Sequence, residues 1–158
     1  MDNEKKQQFV LRISNANKTE MIVILYDMYL TYSEDAREAL KAGDEKAFRQ
    51  NIVKTRNVLN ELMDSLNFEY EEAGFYLSLY IYITKLLVKA DIHREPEKLE
   101  EAEKLISRLR DMYKELVKQD TSGPVMKNTQ TVYAGITYGK NDINVNVDDG
   151  SSSRGFLV

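Results

Sequence analysis

The sequence predicts an all-α fold: an antiparallel up-and-down four-helix bundle with an N-terminal apolar strap and an irregular C-terminal tail. Three observations predict it. Apolar side chains recur at spacings of three and four through most of the first 119 residues, the mark of helices that bury one face. Start and stop signals divide this stretch into four segments of roughly 20–25 residues, each about 30–38 Å long as a helix. Glycine and proline are unevenly placed: residues 1–119 hold only Gly43, Gly74 and Pro96, whereas 120–158 hold five of the seven glycines and the other proline. A helical domain over 1–119 and a tail over 120–158 follow, divided at Asp120-Thr121-Ser122-Gly123-Pro124.

The first helix starts at Asn17, whose side chain can accept from an orphan amide while Glu20 reaches back to complete a capping box. Met21, Ile22, Leu25, Met28, Tyr29, Tyr32, Ala36 and Leu40 mark its buried stripe. Gly43 ends it by taking up a left-handed conformation, and Asp44 caps the second helix. That helix carries Phe48, Ile52, Leu59, Leu62 and Leu66 on one face, with Val58 and Met63 beside it, and ends near Asn67. The third runs from about 71 to 90. The fourth opens at Pro96, a favoured first-turn residue, and shows Leu99, Ala102, Leu105, Leu109, Met112 and Leu116 on one stripe. Lys114 and Lys118 sit at its C-terminal end, where the helix dipole favours cations.

Composition excludes several function classes. The 158 residues include no Cys, no Trp and a single His, with a formal charge of −4. Thiol chemistry, zinc ribbons and any site with two imidazoles are ruled out. A net negative charge argues against nucleic acid as a partner. The start MDNEKKQQ lacks an apolar signal region, so a cytoplasmic address is expected. His93 falls in the loop before Pro96, and no Glu-x-x-His pair, nucleophile motif or glycine-rich phosphate loop exists. In the tail, Asp142, Asn144 and Asn146 have calcium-loop spacing, but Val147 stands where that loop needs glycine. No metal, no cofactor and no catalysis are expected.

The apolar content instead points to binding. From Phe75 to Val88, eleven of fourteen residues are apolar or aromatic and Lys85 is the only charge. That run is too short to span a bilayer, which takes about 20 residues, so no membrane insertion is expected. MIVILYDMYL at 21–30 is apolar around most of its circumference, broken by Asp27. A surface helix needs an apolar stripe of little more than about 100°. Something must cover the surplus: the strap Phe9-Val10-Leu11-Arg12-Ile13, the tail with Val132, Tyr133, Ile136 and Tyr138, or a partner helix seated in a groove. The competing reading makes the third helix simply the central core helix.

A set of short motifs is similar to the FliS family of flagellar export chaperones. They are LYD at 25–27, ELMDSLNFEYE at 61–71, LYIYI at 79–83, LLVKADI at 86–92 and LRDMYKEL at 109–116. The resemblance covers about residues 10–119. The family's Ser-Pro helix start is Asn17-Lys18 here, the glycine that often follows LYD is Met28, and paired glycines before the third helix are absent.

The resemblance implies a cytoplasmic chaperone that holds the C-terminal segment of flagellin in an apolar helix groove. It prevents premature polymerisation and aids delivery to an export-gate protein of the flagellar type III system. Some members also bind the anti-sigma factor of late flagellar genes, and a weak homodimer is a further state to consider. The alternative is a non-catalytic structural or regulatory bundle with a different helical partner. Candidate partner-binding residues are Ile13, Ile22, Leu25, Tyr26, Asp27, Tyr80, Ile83 and Leu87. Ile13 matches the family's apolar N-terminal segment, and Tyr26 and Asp27 carry the LYD match. Tyr80 and Tyr82 stand about 200° apart on a helix, so one belongs to the core and the other to the groove.

Overall fold

The structure is a computed structural model that describes residues 1–126. The extended segments expected within 129–147 lie outside the described residues. Among those described, five helices and no strand occur: α1 (Asn3–Asn15), α2 (Lys18–Lys41), α3 (Glu45–Asp64), α4 (Glu72–His93) and α5 (Pro96–Val117). The expected first to fourth helices are α2 to α5.

Local signals position most of the ends. The Asn17 side chain accepts from the Glu20 amide at 2.8 Å while the Glu20 carboxylate accepts from the Asn17 amide at 2.9 Å, which is the expected capping box. Gly43 adopts φ +72° between α2 and α3, a conformation that a Cβ would disfavour. The Asp44 side chain caps α3 by accepting from the Ala47 amide at 2.9 Å. Helix α3 stops at Asp64, short of Asn67. Helix α4 runs on to His93, so that residue is the exposed last position of the helix, not a loop residue. Arg94 follows in the left-handed region at φ 56°. It is held there by carboxylates of Glu45 and Asp91, with its guanidinium 4.8 Å from the centre of the Phe48 ring.

Helices α2 to α5 pack in a ring: α2 against α3 and α5, and α4 against the same two. Tyr26, Tyr29, Phe48, Leu59, Leu62, Ile83, Leu99 and Ile106 fill the centre. The buried line of α2 runs through Tyr26, Tyr29, Ser33 and Ala36, rotated from the expected stripe, on which Met21, Ile22, Leu25 and Met28 are half-buried. Ser33 is tolerated there because its hydroxyl donates to Glu103 of α5 at 2.8 Å.

The N-terminal segment departs from expectation. It is a helix capped by Asp2, whose side chain accepts from the Lys5 amide at 2.8 Å. This helix packs against α2 alone, so it does not cover the apolar surplus of α4. It does help bury Val23 and Ile24, which line a recess beside α1 residues Arg12 and Asn15. Residues 120–126 add to the same end: the Val125 amide donates to the Ala16 carbonyl at 2.9 Å, and the Thr19 hydroxyl donates to Asp120 at 2.5 Å.

Candidate functional site

Helix α4 has one buried side and one uncovered side. Ala73, Tyr80, Ile83, Leu86, Leu87 and Ala90 point inward. Phe75 is 66% exposed and Ile92 67%, and Ile81, Tyr82 and Val88 are also exposed. A helix that hydrophobic on its outer side is covered by no other described element. The reading in which it is wholly core is therefore corrected.

The orientation of this face follows from one contact. The Tyr82 hydroxyl donates to Glu101 of α5 at 2.5 Å, so Tyr82 marks the α5 side of α4. At about 100° per residue, Phe75 and Leu79 share that side. Helix α5 contributes exposed Met112 and Leu116 and half-buried Leu105. These three belong to the expected stripe of the fourth helix, from which the core takes Leu99, Ala102 and Leu109 and adds Ile106 from the adjacent line. The result is an apolar furrow between α4 and α5.

At the end where α4 begins, a groove of about 430 Å³ opens, lined by Ile22, Leu66, Tyr70, Tyr76, Tyr113 and Leu116, with Tyr80 at its floor. Phe75 continues it outward, edge-on to Tyr76 with ring centres 5.7 Å apart. Below lies a tyrosine cluster. The hydroxyls of Tyr26 and Tyr80 are 2.6 Å apart, and Tyr113 presents an edge to Tyr26 at 5.6 Å and to Tyr76 at 6.0 Å. Burial pushes the Tyr26 and Tyr80 phenols up, and it pushes Tyr113 up to about 12. All three stay neutral near pH 7, the opposite of an activated nucleophile. Tyr80 and Tyr113, which line the groove, form an aromatic floor suited to packing against a peptide, with Tyr26 behind them in the core.

The eight sequence candidates separate into groups. Ile22 and Tyr80 line the groove. Leu25 is half-buried against the core, and Ile13 is half-buried on α1. Asp27 of α2 accepts from Arg12 of α1 at 2.7 Å and from Arg110 of α5 at 3.5 Å. Direct contact with a partner does not fit Tyr26, Ile83 and Leu87, each of which is sealed in the core by the surrounding helices. Tyr80 is 2% exposed and Tyr82 44%, the division expected from their angular separation. Phe68, Tyr70, Phe75, Met112 and Leu116 are exposed and were not among the candidates. Two large aromatics in the connection before α4 were a readable signal for the first pair.

A second polar network joins α2 to α5. Arg37 pairs with Glu100 at 3.2 Å and with Glu103 at 3.4 Å. Burial raises the Glu103 carboxyl above its ordinary value, against the opposing bond from Ser33. This network ties α2 to α5 and does not involve α4, whose furrow with α5 it leaves apart. Among the described residues, no group of three or more His, Asp and Glu is placed to hold a metal ion. Nor is any described helix long and apolar enough to cross a membrane.

Comparison with known proteins converges on one family. The family described as "Flagellar protein FliS" matches residues 1–120, the whole of the helical body. The chain is also similar to a protein of Bacillus subtilis (strain 168) named "Flagellar secretion chaperone FliS", with 26% identity over 108 residues that cover 68% of this chain and 81% of that protein. With its helices, its motifs and three quarters of its length matched, the chain belongs to the FliS family of flagellar proteins.

Proposed function

We propose that this chain is a flagellar secretion chaperone that holds the C-terminal segment of flagellin against the α4–α5 furrow and its tyrosine-floored groove. The ring of α2 to α5 is read as the antiparallel up-and-down bundle, and the cytoplasm as its place of work. The observation that carries the reading is the uncovered apolar line of Phe75, Tyr82, Met112 and Leu116, which no described element of the chain buries. The name of the B. subtilis relative supports the same role.

The chemistry is that of a helix laid in a groove. A client segment that is unfolded when free offers apolar side chains at helical spacing and orders on contact, so part of the gain from burial offsets its lost entropy. While seated, those side chains are withheld from filament assembly, and the complex can pass to the export gate. The anti-sigma factor of late flagellar genes would compete for the same furrow. Nothing in this scheme involves bond making.

Calorimetry with a peptide spanning the C-terminal helical segment of flagellin tests the reading. Expected is 1:1 binding with a negative heat-capacity change, the marker of apolar burial. Phe75→Asp should weaken it at least about tenfold, since a charge would have to be desolvated in the furrow. Absence of measurable heat at tens of micromolar would overturn the proposal.

A further inference from the structure

The other flank of α4, turned toward α3, has a different charge from the rest of the molecule. Residues 46–60 and 73–90 together carry six Lys or Arg and no Asp or Glu, while the remainder of the chain holds the other 16 basic side chains and all 26 acidic ones. These two stretches lie side by side. Arg94, at the end of α4, donates to Glu45, at the start of α3, at 2.9 Å and to Asp91 of α4 at 3.4 Å. From that clasp the facing stripes can be followed by helical spacing: Arg49, Val53 and Arg56 on α3, and Val88 and Ile81 on α4.

The apolar members of these stripes are uncovered, with Val53 50% exposed, Ile81 43% and Val88 44%. Lys85 is exposed beside them. Arg49 has one carboxylate neighbour, Glu45 at 4.0 Å, which Arg94 already holds. Arg56 and Lys85 have no ion-pair partner among the described residues. Exposed aliphatic and cationic side chains are thus interspersed on the two helices, with no acidic side chain on either stretch to neutralise them. An anionic partner would gain from both the charge and the burial.

We propose that the α3–α4 face is a second docking surface, which takes an amphipathic protein helix carrying Asp or Glu on both flanks of its apolar stripe. The geometry favours a helix over other anions. Apolar and cationic side chains set out along two helices match a partner helix that presents its own at i, i+3 and i+4. Single-stranded nucleic acid would need aromatic platforms for its bases, and the exposed aromatics of α4, Phe75 and Tyr82, turn to the α5 side. The surface is separate from the α4–α5 furrow, so a client there leaves it open and two partners can be held together. The assignment stands whether or not flagellin occupies the furrow.

Fluorescence anisotropy on the full chain tests it, using two synthetic helical peptides that share a leucine stripe and differ in having Glu or Lys on its flanks. The Glu peptide should bind, and raising salt from about 0.05 to about 0.3 M should weaken it roughly tenfold. The Lys peptide should not bind. R49E/R56E/K85E should abolish Glu-peptide binding with an unchanged melting temperature, since all three side chains are exposed. Should that variant misfold, R49Q/R56Q/K85Q should still lower affinity at least about fivefold. Phe75→Asp should leave the Glu peptide bound. Equal binding of both peptides, survival of binding in the neutralised variant, or capture by phosphatidylglycerol vesicles with no peptide bound would each overturn the proposal.

Discussion

Helices α2 and α4 carry the same signature in sequence and meet different fates in the fold. Each has a stretch, 21–30 in α2 and 75–88 in α4, that is apolar around most of its circumference, and they stand diagonally across the ring, each touching α3 and α5. Helix α2 also receives α1 and the 120–126 segment on its outer side, so Val23 and Ile24 are buried there. Helix α4 receives nothing on its outer side among the described residues, and Phe75 and Ile92 stand two-thirds exposed. An all-round apolar helix is thus a statement that cover is needed, and the rest of the chain decides whether that cover is internal. Where it is not, the exposed surplus is what supports the proposed binding surface.

The sharpest way to break this comparison lies within α4 itself, at two isoleucines two positions apart. Ile83 is fully buried and Ile81 is 43% exposed. Ile83→Ala should cost about 2–5 kcal/mol through lost burial and the cavity left behind, a fall in melting temperature of roughly 6–15 °C. Ile81→Ala should cost under about 1 kcal/mol. Equal losses on thermal unfolding would mean that the outer face is packed after all.

The next effect tests the one polar contact that joins the two helices directly. Tyr26 of α2 and Tyr80 of α4 share a hydrogen bond at the centre of the core. Tyr26→Phe leaves the buried Tyr80 hydroxyl without this partner and should cost about 1–3 kcal/mol, whereas the double Phe variant should recover most of that loss, because both polar groups are then gone. Chemical denaturation of the four members of the cycle gives the coupling. Additive losses would show that the two phenols do not depend on each other.

Helix α1 gives a smaller effect. Arg12→Ala removes the bond to Asp27, with the Arg12 side chain 44% exposed, so the loss should be at most about 1 kcal/mol after solvent screening. Hydrogen exchange should quicken in α1 and stay unchanged in α4. Quickening in α4 instead would show that α1 supports the uncovered face.

What could be read from sequence, and what could not, divides by range. The capping box of Asn17 and Glu20, the turn at Gly43 and the start at Pro96 are local chemistry, and each stands as expected. Helix α1 was missed although Asp2 offered a cap, because its polar first half shows no stripe. On α5, the expected stripe holds Leu99, Ala102 and Leu109, which are buried, together with Leu105, Met112 and Leu116, which are not, while Ile106 on the adjacent line is buried. Only the neighbouring helices decide which of these positions the core takes. The furrow was invisible for the same reason: it is made of residues that a stripe assigns to the interior. Placing Tyr26, Ile83 and Leu87 in a groove followed from motif position, which carries no information about which way a side chain points.

The smallest expected effect concerns the internal cover of α2. Asp120 accepts from the Ser122 hydroxyl and amide and from the Thr19 hydroxyl, tying the segment after α5 to the first turn of α2. The Ser122 hydroxyl bond, then that from Thr19, holds its carboxyl down at about 2, against about 3.9 in an unfolded chain. A carboxyl depressed in the folded state contributes stability above its unfolded value, and that contribution is lost as pH falls through about 2. Asp120→Asn should therefore lower stability slightly at pH 7, with the gap to the parent chain closing between about pH 4 and pH 2. Carbon-detected titration of the Asp120 carboxyl reads the depressed value directly, and a midpoint near 4 would show that the segment does not hold the end of α2. Since no described residue tethers a segment over the outer face of α4, the same substitution should leave hydrogen exchange in α4 untouched. Among the described residues, the difference between the two helices then rests on covalently attached cover, present for α2 and absent for α4.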